Sequence, residues 1–161
     1  MFQVGEKIFY PLLGAGIVES IEEKEVLGAK ESYYIFNMIL RNLQVMIPVR
    51  KADNLVIREV VDLEILDNAV AMFHGEHLVP TVPYQERRRI NIDKMKSGDI
   101  FGGVEVILDL MLLNSQKKLN VEDKTMLDNA KQMLISELVV VKGLNTFEAE
   151  KLLNRATITS M

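Results

Sequence analysis

Residues 2–21 read FQVGEKIFYPLLGAGIVESI: a short alternating segment, a Tyr-Pro step, a glycine-containing turn and a second extended segment. Gln3, Gly5 and Lys7 alternate with Val4, Ile8 and Tyr10, the period of a half-buried strand. Pro11 has no N–H to give to a ladder, and Gly14 and Gly16 permit a tight reversal. This is how a small β-barrel begins. Such openings form binding modules more often than active sites.

Outward from this stretch the texture stays β-like to about Arg58. Gln3–Tyr10, Gly16–Lys24, Ser32–Ile39, Leu43–Val49 and Leu55–Arg58 are short runs rich in Val, Ile, Phe and Tyr, with turns at Gly28-Ala29 and Arg41-Asn42. Five short strands in under sixty residues suffice for a Tudor-like barrel and are too few for a sandwich. After Val61 the period becomes helical. Asp62 is placed to cap a helix whose Leu63, Leu66, Ala69, Val70 and Phe73 share a face, ended by His74-Gly75. Residues 75–83, with two prolines and no period, read as a loop. Further helices are expected at 84–96, from Asp99, from Asn120 to Gly143, and over 146–155, the last opened by Asn145 and Glu148 in a capping-box-like pair. The fold class expected is therefore α+β: a five-stranded barrel at residues 1–60, then an all-helical bundle at 61–161.

Composition narrows the function. The chain has 161 residues, 48% hydrophobic and 26% charged, which is ordinary for a globular protein, and no apolar run approaches the roughly 18 residues of a membrane span. With no signal-peptide pattern and no cysteine, the expected location is the cytoplasm; disulfides, thiolate nucleophiles and cysteine-based zinc sites are excluded. The net charge is −4. Residues 1–58 balance at seven basic against seven acidic, so the deficit lies wholly in 59–161, with twelve against sixteen. Within that acidic half Arg87, Arg88, Arg89, Lys94 and Lys96 form a small basic patch. Such an arrangement suits a protein that touches DNA locally while something else holds it there, because free DNA would attract it only weakly.

Catalytic and metal readings find little support. His74-Gly75-Glu76-His77 is the one histidine-rich spot, and no third histidine exists to complete a site, so a surface loop is the simpler reading. The span Gly14–Ile17 is too short for a phosphate-binding loop, and no serine sits in a recognisable elbow. No catalytic residue, metal or cofactor is expected.

Three stretches carry a resemblance: VGEKIFYPLLGAGIVESIEEKEVLG at Val4–Gly28, VMIP at Val45–Pro48, and NIDKMKSGDI at Asn91–Ile100. Together they resemble the CarD/CdnL family of bacterial transcription regulators, whose N-terminal domain is shared with the transcription-repair coupling factor. The resemblance covers essentially the whole chain and implies a regulator without catalysis. The barrel would add a strand to an edge of the RNA polymerase β subunit. The helical domain would reach promoter DNA at the upstream edge of the melted bubble and stabilise the open complex.

Each implied contact has a physical rationale. Strand addition gains affinity from main-chain hydrogen bonds and specificity from alternate side chains, a task open to an edge such as Leu43–Pro48. Inserting a flat side chain beside an unstacked step costs a few kcal/mol in intact duplex and nothing extra once the bases are apart, so binding shifts melting toward the open form. The family's basic polymerase-facing positions fall on Lys24, retained in type, and on Met46, which is apolar here. The strand Val45, Met46, Ile47, Pro48 would be the interface, or else an ordinary barrel strand with Val45 and Ile47 inward. The family's tryptophan wedge falls on Tyr84, and the basic positions after it on Glu86, Arg87 and Arg89, with Arg88 between them. Tyr84 keeps a planar face with less stacking area than an indole; otherwise it is a partly buried aromatic at a helix start. Successive helical residues point about 100° apart, so the three arginines cannot all face DNA; at least two are expected on phosphate, the plainer account being a solvated helix face. Glu86 is placed either to pair with Arg89 or to sit near the helix dipole. Lys124 matches a family lysine on the long helix, where a surface charge is the simpler account. Polymerase and promoter DNA are the implied partners. A protein–protein adaptor without DNA contact is the runner-up, and a free nucleic-acid-binding Tudor-like module comes third.

Overall fold

Pro11 ends the first strand, as its missing donor requires, and the chain turns back at once. β1 (Lys7–Tyr10) and β2 (Gly14–Val26) form an antiparallel hairpin with Tyr10 opposite Gly14 and Lys7 opposite Ile17. In the turn Leu13 donates its N–H to Tyr10 O at 3.0 Å, and Gly14 takes a left-handed φ of +90°. Gly16 has a different role from the one expected. It is not left-handed; it lets β3 come close, since a Cβ there would lie 2.7 Å from Asn37 O.

The computed structural model describes residues 1–75 and 82–159. With β3 (Ala29–Met38), β4 (Leu43–Pro48) and β5 (Arg58–Glu59), the hairpin makes a five-stranded antiparallel sheet of order β4-β3-β2-β1-β5. Register slips between Val18 and Ser20, so Glu19 is an extra residue that bends β2. Ile8, Val18, Tyr34, Phe36 and Met38 fill the interior, with Tyr34 and Phe36 stacked at 5.7 Å. One turn of helix, α1 (Val49–Ala52), adds Ala52 to that core. Four residues carry no period, so nothing in the sequence announced it. The fifth strand lies later than the expected Leu55–Arg58, and the first begins at Lys7, because Gly5 turns at φ +89° with Glu6 N–H on Gln3 O. Beyond the barrel the β2–β3 ribbon runs on as a two-stranded arm whose residues 21–30 are all exposed.

The bundle is α2 (Leu63–Ala71) with a 3₁₀ turn at Met72–His74, α3 (Tyr84–Ser97), α4 (Ile100–Gln116), α5 (Val121–Lys142) and α6 (Thr146–Thr159). Its ends follow the sequence signals. The side chains of Asp62, Asp99 and Asn120 accept from Ile65, Phe101 and Asp123 N–H at 2.9, 3.1 and 2.8 Å, and Gly98 and Gly143 close α3 and α5 in left-handed conformation. Asn145 and Glu148 satisfy each other's N–H groups at 2.7 and 3.1 Å. Among the described residues no helix is long and apolar enough to cross a membrane.

The last strand ends at Glu59 and the first bundle helix begins at Leu63, yet the two halves share a core. Phe9 and Ala15 of the first hairpin are buried among bundle residues such as Met95, Leu134 and Leu138. Ala15 N–H donates to Ser136 Oγ at 2.9 Å, and Gly14 leaves room for that serine, since a Cβ would lie 2.7 Å from its oxygen. Arg58 is the centre of the joint. Its guanidinium forks onto Glu137 at 2.7 and 2.8 Å, donates to Gly98 O at 2.6 Å and lies 4.3 Å over the Phe9 ring. Glu137, 1% exposed, also accepts Val61 N–H at 3.0 Å. A carboxylate so buried is tolerable only because all of these donors reach it.

Candidate functional site

Two surfaces bear the residues singled out from sequence. The first is the β4 side of the barrel. β4 ends the sheet and pairs only with β3, in the register Phe36–Val45, Ile35–Met46, Tyr34–Ile47 and Tyr33–Pro48. Val45 and Ile47 pack on the barrel core, while Met46 points the other way and is 45% exposed. Lys24 is exposed on the arm, opposite Glu31 and two residues past the row Glu22–Tyr33–Pro48. Alternation then puts Lys24, Pro48 and Met46 on one face of the sheet, with the Lys24 and Pro48 backbones on the order of 12 Å apart. Lys24 and Met46, which the family resemblance nominated together, thus lie on one face of the sheet.

The second surface is where α3 and α5 begin. Tyr84, the first residue of α3, is 41% exposed. Its hydroxyl accepts from Asn120 Nδ2 at 2.8 Å and donates to Glu122 Oε2 at 3.4 Å. Asn120 does two jobs, since its Oδ1 caps α5. One turn along α3, Arg88 pairs with the same Glu122 carboxylate. The three arginines diverge as helical geometry demands. Arg87 turns inward, its side chain 11% exposed and 3.4 Å from Asp109, which also accepts from Asn91 at 3.0 Å. Arg89 lies outside, 4.0 Å from Asp93; it is Asp93, not Glu86, that it faces. Lys124 is exposed on α5, and Lys117 and Lys118 are exposed in the connection just before Asn120.

Beneath this surface Asp123 is buried, and its carboxyl is held above the usual range. Burial is the main cause, with Asp109 and Glu122 adding to it and Arg87 and Arg88 opposing it. Asn120 and Glu122 escaped notice in the sequence. Asn120 was legible as a cap, but its grip on Tyr84 depends on two helix starts, 36 residues apart, meeting in space.

His74 is exposed at the end of the 3₁₀ turn, while Glu76 and His77 lie outside the described residues, as does most of the 75–83 loop. Among the described residues no three His, Cys, Asp or Glu side chains gather to hold a metal ion.

Comparison with known proteins supplies the context for these two surfaces. A family model described as "CarD-like/TRCF RID domain" matches residues 2–61, and one described as "CarD, C-terminal domain" matches residues 68–154. A Bacillus subtilis (strain 168) protein named "Putative transcription factor YdeB" is 48% identical over 145 residues, 89% of this chain and 94% of that one. The barrel, the bundle and the order in which they occur agree with those matches over residues 2–61 and 68–154, and the chain belongs to the CarD/CdnL family of transcription regulators.

Proposed function

We propose that this protein binds the RNA polymerase β subunit through the β4 side of its barrel and brings the Tyr84 surface to promoter DNA at the upstream edge of the bubble, where it stabilises the open complex. It works in the cytoplasm, without catalysis. The observation that carries the reading is that β4 is an edge strand with Val45 and Ile47 turned inward and Met46 turned out, on the same face of the sheet as Lys24 further along β2. A partner strand would gain main-chain hydrogen bonds along that edge and read Met46 and Lys24 by their side chains. The joint at Arg58 supports the second half of the reading, because it couples the barrel to the helices that carry Tyr84.

The test is capture of purified polymerase by the full-length protein. Met46→Asp or Lys24→Glu abolishes capture while leaving the melting temperature unchanged; capture at wild-type affinity by both variants overturns the mapped surface. The DNA half is read from open-complex lifetime. Tyr84→Ala shortens it without loss of polymerase affinity, and an unchanged lifetime overturns the wedge. One observation favours the adaptor reading: Arg87, Arg88 and Arg89 each face a carboxylate of the protein itself. An adaptor would show an unchanged lifetime together with full polymerase capture.

A further inference from the structure

We propose that Glu122 is a built-in competitor for DNA phosphate on the Tyr84 surface, so that this surface grips DNA only when a partner delivers it. The inference rests on the reading that Tyr84 meets DNA. Two groups there are suited to a phosphodiester, the Tyr84 hydroxyl and the Arg88 guanidinium, and both point at one carboxylate oxygen, Glu122 Oε2. A carboxylate taking a hydroxyl and a guanidinium presents the same acceptor chemistry as a non-bridging phosphate oxygen pair. Glu122 lies in the first turn of α5, where the helix dipole favours an anion of either kind.

Exposure decides that this contact is exchangeable. The Arg88 and Glu122 side chains are 40% and 56% exposed, so their attraction is screened and weak, and a phosphate can displace the carboxylate. The carboxylate cannot leave altogether, because it is tethered to the helix; once displaced, it repels the incoming backbone. Tyr84 keeps its place meanwhile, since Asn120 holds the hydroxyl independently at 2.8 Å. Glu122 therefore lowers affinity for free DNA without disordering the wedge. When the barrel is held on polymerase beside the promoter, the effective DNA concentration reaches the order of millimolar and overcomes the competition.

The experiment uses the full chain, a fluorescent forked duplex and anisotropy measured across a salt series. Glu122→Gln tightens binding about two- to fivefold at low salt, the range of an exposed ion pair. It also steepens the salt dependence by about one phosphate contact as Arg88 is freed. Arg88→Ala in the Glu122→Gln background removes both gains. Glu86→Gln, an equal loss of charge on α3, gives a smaller gain that Arg88→Ala leaves in place. Unchanged or weaker binding by Glu122→Gln, where Tyr84→Ala and Arg88→Ala still weaken it, overturns the competitor role and leaves the DNA surface standing. An equal gain from Glu86→Gln overturns it as well, by reducing the effect to net charge. If Tyr84→Ala and Arg88→Ala change nothing, the DNA reading itself fails.

Discussion

The protein contains two arginine–glutamate pairs of the same chemistry and opposite fates. Arg58–Glu137 joins the barrel to the bundle with Glu137 1% exposed, a forked geometry, and further bonds from Val61 N–H and to Gly98 O. Arg88–Glu122 lies in the open at the start of α3 and α5. Burial converts an interaction of a few tenths of a kcal/mol into one that the fold cannot lose singly. Exposure leaves the other free to exchange its partner. The first pair is architecture, and the second is available for function.

The largest effect is expected at the joint. Glu137→Ala strands the Arg58 guanidinium and Val61 N–H, and costs about 3–5 kcal/mol in chemical denaturation. Replacing both partners by apolar residues of similar volume costs far less, because no uncompensated charge remains. If the double replacement is as damaging as the single one, burial of charge is not what makes the joint essential. A fragment of residues 1–60 exposes Phe9 and Ala15 and loses the Ser136 bond to Ala15, so partner binding is best judged on the full chain.

Next comes Ser136→Ala, which removes that bond and leaves the buried Ala15 N–H without an acceptor, at about 1–3 kcal/mol. Destabilisation below a few tenths of a kcal/mol would mean that Ala15 finds another acceptor and that the hairpin slides on α5.

The same contrast explains what could be read in advance. Strand runs, helix caps and the barrel-then-bundle order were legible because caps and alternation are local. Two of the three motifs that carried the family resemblance turn out to meet. Pro11 of the YPLLGAG stretch lies against Gly98 of SGD, with 3.0 Å from Pro11 Cγ to the place of a Gly98 Cβ, and Arg58 donates to that glycine's carbonyl. Those residues are particular because a buried joint tolerates few alternatives. The surfaces that would touch partners are less legible. Met46 and Tyr84 are both exposed, and an exposed position answers to a partner that the sequence does not contain. Asn120 and Glu122 were hidden for another reason: their meaning depends on α3 and α5 starting side by side.

Acid titration separates the buried and exposed parts of the Tyr84 surface. Asp123 has its pKa raised in the folded protein, chiefly by burial, so the folded state binds its proton more tightly than the unfolded chain does. Stability from this group is therefore present at low pH and is lost as pH rises through the carboxylate range, from about pH 4 upward. Asp123→Asn should raise the melting temperature modestly at pH 7, and the gain should shrink as the pH falls to about 4. A gain that is constant with pH would assign the effect to something other than the buried charge.

The smallest effect should come from the exposed pair. Arg88→Ala should cost less than about 1 kcal/mol at low salt, because both partners are solvated and each already pays side-chain entropy to hold one geometry. Part of even that cost is indirect, since Arg88 is one of the two cations that favour ionised Asp123. In 1 M salt, where screening acts over about 3 Å, the difference from wild type should vanish, while the defect of Glu137→Ala should persist because its pair is shielded from ions. Parallel denaturation of the two variants at low and high salt makes the comparison directly. If Arg88→Ala costs several kcal/mol and keeps that cost in salt, the α3–α5 surface is as architectural as the joint, and Glu122 is not free to give way to phosphate.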